Sequence, residues 1–164
     1  MKNTLTSALL GAMAVLALTA CEADVDDWNG TAVIDGAVFP LSEGYISQSD
    51  ILIDARGHES GEYIIDLYHD GWQSDIHVRM ALNSPDIDFL TDMHYDYCPE
   101  SYSPGDCSYA RIEYNGFVLS DDNCRIGCVD VCYSHGRYSV DFDFEYATGP
   151  WSVCYVTGDY APLR

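Results

Sequence analysis

The sequence predicts an all-β protein, a single antiparallel β-sandwich or β-barrel of about nine strands. Three observations predict it. Apolar residues recur at every second position from about Thr31 onward, clusters of turn-forming residues separate the runs, and beyond residue 20 no stretch sustains a helical period.

Taken in order, the first candidate strands are Ala37–Leu41, Asp50–Ala55 and Glu62–His69. In Asp75–Asn83 the apolar Ile76, Val78, Met80 and Leu82 alternate with Asp75, His77, Arg79 and Ala81. Asp92–Tyr97, Ser108–Tyr114 and Cys128–Tyr133 follow. The clearest strand is Tyr138–Tyr146, with Tyr138, Val140, Phe142, Phe144 and Tyr146 on one face and Ser139, Asp141, Asp143 and Glu145 on the other. Trp151–Thr157 is the last. Gly57–Gly61, Asp70-Gly71, Asn115-Gly116, Ser134–Gly136 and Thr148–Pro150 supply the reversals between them. Removing the first 20 of 164 residues leaves enough chain for one domain with its own core. There is no internal repeat and no low-complexity tract.

The chain opens with Lys2 and an uncharged apolar run from Ala8 to Ala20, the pattern of a secretory signal peptide. The run falls short of the about 20 apolar residues that a transmembrane helix needs. It ends Leu18-Thr19-Ala20-Cys21, which resembles the lipobox of bacterial lipoproteins. That resemblance implies that residues 1–20 are a signal peptide removed before Cys21. It also implies that the Cys21 thiol takes a diacylglyceryl group and that the new amino terminus is acylated, typically with palmitate. Three acyl chains exceed what stable membrane anchoring requires. The alternative is an ordinary secretory signal in which Cys21 is incidental.

Residues 21–30 read as an acidic tether built on Glu22, Asp24, Asp26 and Asp27, solvated and unable to pack. Glu22 rather than aspartate after the cysteine argues against retention at an inner membrane, and the acidic run resembles the surface-export signal of Bacteroidetes lipoproteins. The expected location is the bacterial outer membrane, lipid-anchored and either periplasmic or surface-exposed, with the all-β domain at 31–164.

Once residues 1–20 are removed, six arginines face all 27 carboxylates, a formal charge of −21. Such a surface excludes nucleic acid as a partner, because binding it means neutralising phosphates with cations. It also opposes contact with anionic headgroups, so the membrane is a partner through the acyl chains on Cys21 alone. The charge suits calcium, a cationic partner or simple solubility.

Besides Cys21 there are six cysteines: Cys98, Cys107, Cys124, Cys128, Cys132 and Cys154. In an exported chain an even number reads first as disulfides. Cys98 and Cys107 bracket a loop rich in proline and glycine, which makes them the favoured pair. The spacing Cys124-x3-Cys128-x3-Cys132 raises a metal reading but matches no common zinc or iron–sulfur pattern.

Asp141, Asp143 and Glu145 form a carboxylate row that could hold calcium if a loop supplied further oxygens, or could serve a hydrolase; the plainer reading is a solvated strand face. Ser120–Asn123 has the oxygen density of a calcium loop without an EF-hand's length, and reads first as a turn. The five histidines show neither HxH nor HExxH spacing, and no Gly-x-Ser-x-Gly elbow is present. Calcium is thus the one cofactor in view, and no catalytic residue is identified. Thirteen tyrosines supply apolar area with a polar tip, suited to interfaces and to stacking on sugar rings. Tyr102, in mid-loop, is the candidate for an exposed ligand contact.

Asn29-Gly30-Thr31, Ala37–Leu41, Tyr63–Leu67, Gly136–Phe144 and Cys154–Tyr160 together resemble the small β-sheet lipoproteins of Bacteroidales and related bacteria. Many of these have calycin-like barrels or sandwiches, and most have no known function. The likeness covers most of residues 29–162 and rests on strand rhythm and a few glycines; the cysteine content departs from it. It implies fold and location. The resulting expectation is a non-enzymatic recognition or structural module with a protein, glycan or small-ligand partner. Its alternatives are a calycin-like carrier of a small apolar ligand and a carboxylate-dependent hydrolase.

Overall fold

The computed structural model describes residues 29–54, 56–70, 75–99 and 101–163. The signal segment, Cys21 and the acidic run lie outside the described residues, as do Ala55, Gly71 and Glu100. The chain is all-β. Its strands are β1 (Gly30–Ile34), β2 (Ala37–Leu41), β3 (Glu43–Ile53), β4 (Glu59–His69), β5 (Ile76–Ser84) and β6 (His94–Tyr97), followed by β7 (Asp106–Tyr114), β8 (Phe117–Leu119), β9 (Cys124–Ser134), β10 (Arg137–Ala147) and β11 (Val153–Leu163).

All the strands join one sheet in the order β2-β1-β11-β10-β9-β6-β7-β5-β4-β3, with β8 paired to β7 off this path. The sheet curls until its ends meet, β3 packing on β11 and β2 reaching β4 and β5. At this seam Ser42 N donates to Tyr68 O at 3.1 Å. The Tyr160 hydroxyl donates to Ser42 O at 3.2 Å. Gly44 lets Tyr160 cross β3, since a Cβ there would lie 2.3 Å from the ring. Register shifts in the β3–β4, β9–β10 and β10–β11 ladders are bulges of the kind that bend a strand and tighten the curl.

Three hairpins turn on a residue pair with both φ angles positive: Asp35-Gly36, Asn115-Gly116 and His135-Gly136. This is the type I′ geometry that matches strand twist. The first of these, with the short strands β1 and β8, adds to the strands expected from the sequence. A second difference is local. The pairing is antiparallel throughout except between β6 and β7, which run parallel over Asp96↔Asp106 and Tyr97↔Cys107. Parallel strands ordinarily need a crossover of a dozen or more residues. With only two residue pairs to form, loop 98–105 needs to return the chain only a short way.

Alternation fixes which face is buried. In β10, Val140, Phe142, Phe144 and Tyr146 enter the core while Asp141 and Asp143 stay exposed. The same cluster takes Ile65 and Leu67, Val78 and Met80, Tyr95, Ile112, Val129 and Val131. Burying each large apolar side chain is worth roughly 1.5–3 kcal/mol. The segment 85–93 between β5 and β6 adds Leu90, fully buried. Tyrosine hydroxyls bind its carbonyls: Tyr63 donates to Ile87 O at 3.0 Å and Tyr138 to Leu90 O at 2.8 Å.

Candidate functional site

The carboxylate row lies on the outer face of the sheet. Asp143 pairs across with Cys128 and Thr157, Asp141 with Asp130 and Asp159, and Glu145 with Ile126 and Tyr155. Glu145 is drawn to Arg125 at 3.9 Å. Carboxylates at alternate positions of one strand stand about 6.5–7 Å apart, too far for Asp141, Asp143 and Glu145 to share an ion through their backbone positions alone. Their close neighbours belong to other strands.

The six cysteines are free. The expected Cys98–Cys107 bridge is not formed, although Cys98 N donates to Cys107 O at 2.9 Å. Adjacent backbones do not suffice, because the Cys98 side chain is exposed while Cys107 is fully buried in the core. Cys124, Cys128 and Cys132 stand on the continuous strand β9. Four residues of strand span about 13 Å, so neighbours in this run can neither bridge nor share a metal. The bulge between Glu145 and Tyr146 also turns Cys124 toward the core, where it packs partly buried opposite Tyr146. Burial pushes the Cys124 thiol up to about 12 and Cys154 up to about 11, and raises Cys107 further. These three are poor nucleophiles.

The Ser120–Asn123 segment is a 3₁₀ turn at Asp121–Asn123. Asp121 has a structural duty: its carboxylate accepts Tyr97 OH at 2.8 Å and Ala110 N at 2.9 Å. The histidines, uninformative by spacing, acquire partners through register. His77 Nε2 lies 2.7 Å from Asp66 Oδ1. His94 sits between Asp130 at 2.7 Å and Asp96 at 3.2 Å. The hydrogen bond to Asp130, reinforced by Asp96, raises the His94 pKa above its ordinary value.

The outer face of β3, β4, β5 and β7 has a different character. Two rows cross it: Glu43–Tyr68–His77–Glu113 and Tyr45–Asp66–Arg79–Arg111. Like charges directly opposite destabilise a sheet, yet Arg79 and Arg111 face each other in the ladder. Asp66 lies 3.8 Å from Arg79, and Glu113 takes Arg111 Nε at 2.7 Å. Tyr45 and Tyr68 stack with centroids 5.8 Å apart and an interplanar angle of 19°. Both hydroxyls donate to Glu43 Oε2, at 2.7 and 3.1 Å, so the aromatic pair is held by one carboxylate.

A groove of about 440 Å³ is lined by Tyr45, Asp66, Tyr68, Asp70, His77 and Arg79. A second, of about 370 Å³, runs from Arg79 past Glu62, Ile64 and Ala81 to Tyr102, Tyr109 and Asp121. Tyr102 is 67% exposed. The structure thus brings the mid-loop tyrosine singled out from the sequence to a groove that shares Arg79 with the Tyr45–Tyr68 stack. Nothing local in the chain signals this arrangement, because its members come from four strands and a loop; only the alternation of His77 and Arg79 with buried residues shows that they face outward. Compared with known proteins, the chain matches no family model, no curated protein and no solved structure.

Proposed function

We propose that the protein is an exported, lipid-anchored component of the bacterial outer membrane whose β-domain is a non-enzymatic recognition module. Its ligand is a glycan carrying a carboxylate, bound on the outer face of β3, β4, β5 and β7. The observation that carries this reading is Arg79, which faces Arg111 across the ladder and lines both grooves between the Tyr45–Tyr68 stack and Tyr102. Arg111 is taken by Glu113 at 2.7 Å, whereas Arg79 has only Asp66 at 3.8 Å, so the Arg79 fork is the one left to meet an anion, and arginine forks match carboxylates. Ordered tyrosine faces offer the apolar surface on which a pyranose ring stacks, at low cost in side-chain entropy.

The interior favours this reading over the carrier: Ile76, Val78, Met80, Val140 and Phe142 belong to one buried cluster with Leu90 among them. A carrier needs that volume for its ligand. The outward position of Asp141 and Asp143 likewise favours solvation over the hydrolase alternative. The lipobox-like Leu18–Cys21 supports the anchor.

The test is calorimetric titration of the full chain in detergent with oligosaccharides of uronic acids and with neutral oligosaccharides. Binding of the acidic series, weakened about tenfold or more by Arg79→Ala, is expected. Equal affinity for both series, or indifference to Arg79→Ala, refutes the proposed ligand. Incorporation of labelled palmitate that Cys21→Ser abolishes tests the anchor separately.

A further inference from the structure

A second cluster lies on the outer face of β6, β9 and β10, away from the arginine grooves. Register sets His94 opposite Asp130 and Asp96 opposite Cys128. The nearest ligand atoms of His94, Cys128 and Asp130 all lie within 4.8 Å of one another. Asp143 faces Cys128 from β10. The donors around one tetrahedral ion stand roughly 3.3–3.8 Å apart when bonds are 2.0–2.3 Å long. Small side-chain rotations therefore suffice to close the cluster. The side chains are free to make them: His94 is 50% exposed and Asp130 60%.

The donor set decides the ion. Calcium and magnesium take oxygen ligands, whereas imidazole nitrogen, thiolate sulfur and one carboxylate suit a borderline divalent ion such as zinc. The surroundings favour a cation as well. Asp96, Asp130, Asp141 and Asp143 gather around the cluster through cross-strand pairing, and Asp159 extends the row beside Asp141. Cys128 is partly buried and stands about 13 Å along the strand from either neighbouring cysteine of β9, out of bridging reach of both.

We propose that His94, Cys128 and Asp130 bind a zinc ion, with the fourth position taken by water or by Asp143. The site belongs to the domain whatever the arginine face recognises. On binding, the Cys128 thiol proton passes to solvent, the sulfur–zinc bond forms, and His94 coordinates through one nitrogen while the other keeps a carboxylate partner.

The experiment uses the full chain in detergent, reduced and then stripped with chelator, titrated with zinc by calorimetry and with cobalt by absorption. One ion per chain is expected, with the near-ultraviolet charge-transfer band of a cobalt thiolate. Cys128→Ser should remove the band, and His94→Ala should weaken zinc at least about tenfold. Cys132→Ser, further along the same strand, should change neither. Far-ultraviolet circular dichroism checks that each variant folds, and Cys128→Ala with His94→Gln form a second pair. The proposal is overturned by absence of zinc uptake, by a band that survives Cys128→Ser, or by calcium displacing zinc at equal concentration. Discovery of Cys128 in a disulfide in protein taken from cells overturns it too.

Discussion

The closure of the sheet on itself predicts a sharp response to Gly44→Ala. A Cβ at Gly44 would lie 2.3, 2.7 and 2.8 Å from three ring atoms of Tyr160. Ordinary contact begins near 3.4 Å, so ring and strand must part by about 1 Å. Tyr160 is 2% exposed and has no open side to move toward. Its hydroxyl is also held, accepting from Asn29 Nδ2 at 3.3 Å and donating to Ser42 O at 3.2 Å. Overpacking of this kind costs about 1–3 kcal/mol. Expelling the ring instead would lose about 1.5–3 kcal/mol of burial and about 1 kcal/mol of hydrogen bonding. Removing a glycine from a strand returns about 0.5–1 kcal/mol. The cheaper response sets the cost, and overpacking less the glycine gain leaves a loss of about 1–2 kcal/mol, or about 3–10 °C in Tm for a domain of this size. Thermal melts followed by circular dichroism measure it. In a Tyr160→Leu background the same Gly44→Ala change should be neutral or stabilising. An unchanged Tm in the wild-type background, or an equal loss in both, would refute the seam as the place where β3 and β11 lock.

Other outcomes follow from buried polar groups and thiols. The Tyr146 hydroxyl is buried with only the weakly bonding Cys124 thiol beside it, so Tyr146→Phe should leave stability unchanged or raise it by up to about 1 kcal/mol in urea melts. Iodoacetamide should label the exposed Cys98 and Cys132 in the native protein, and the buried Cys107 and Cys154 only after unfolding, as read by peptide mass mapping. Burial raises Cys154 from 9.0 to about 11. Its contribution is therefore fully present below pH 9.0 and is lost as pH rises from there toward 11, at about 1.4 kcal/mol per pH unit, because only the unfolded thiol ionises in that window. Alkaline urea melts of the parent and of Cys154→Val should diverge there in slope.

The fold was legible where alternation was long. Tyr138–Tyr146 announces a strand because five apolar or aromatic residues face one way and three carboxylates the other, and β10 is the strand it predicts. The short β1 was lost because Thr31–Ile34 offers only two alternations, although Asp35-Gly36 beside it carries the hairpin signal. Asn115-Gly116 and His135-Gly136 are turns, as their composition predicts, and the structure adds the reason: both residues of each pair have positive φ. The parallel pairing of β6 and β7 had no local trace, since two residue pairs leave no periodic mark.

The sites were less legible, and register explains why. Alternation told that Asp141, His77 and Arg79 face outward, but facing outward is a property of one strand, and a site is a property of several. Thirty-six residues separate His94 from Asp130, and the pair exists because β6 lies against β9 in one register out of many. A slip of a single residue would turn every side chain of β6 to the other face, sending His94 inward and Tyr95 out. Tyr95 is fully buried and its hydroxyl donates to Thr91 O at 2.8 Å, so the core enforces the register that assembles the cluster outside. The same holds further along the outer face, where buried Val78 and Met80 leave Arg79 between them no choice but to meet Arg111. The net charge of −20 that the chain carries is thus an average over unlike regions. Packing of the interior determines which strand partners meet, and so gathers carboxylates around a histidine and a thiol at one place on the outer face and opposes two arginines at another.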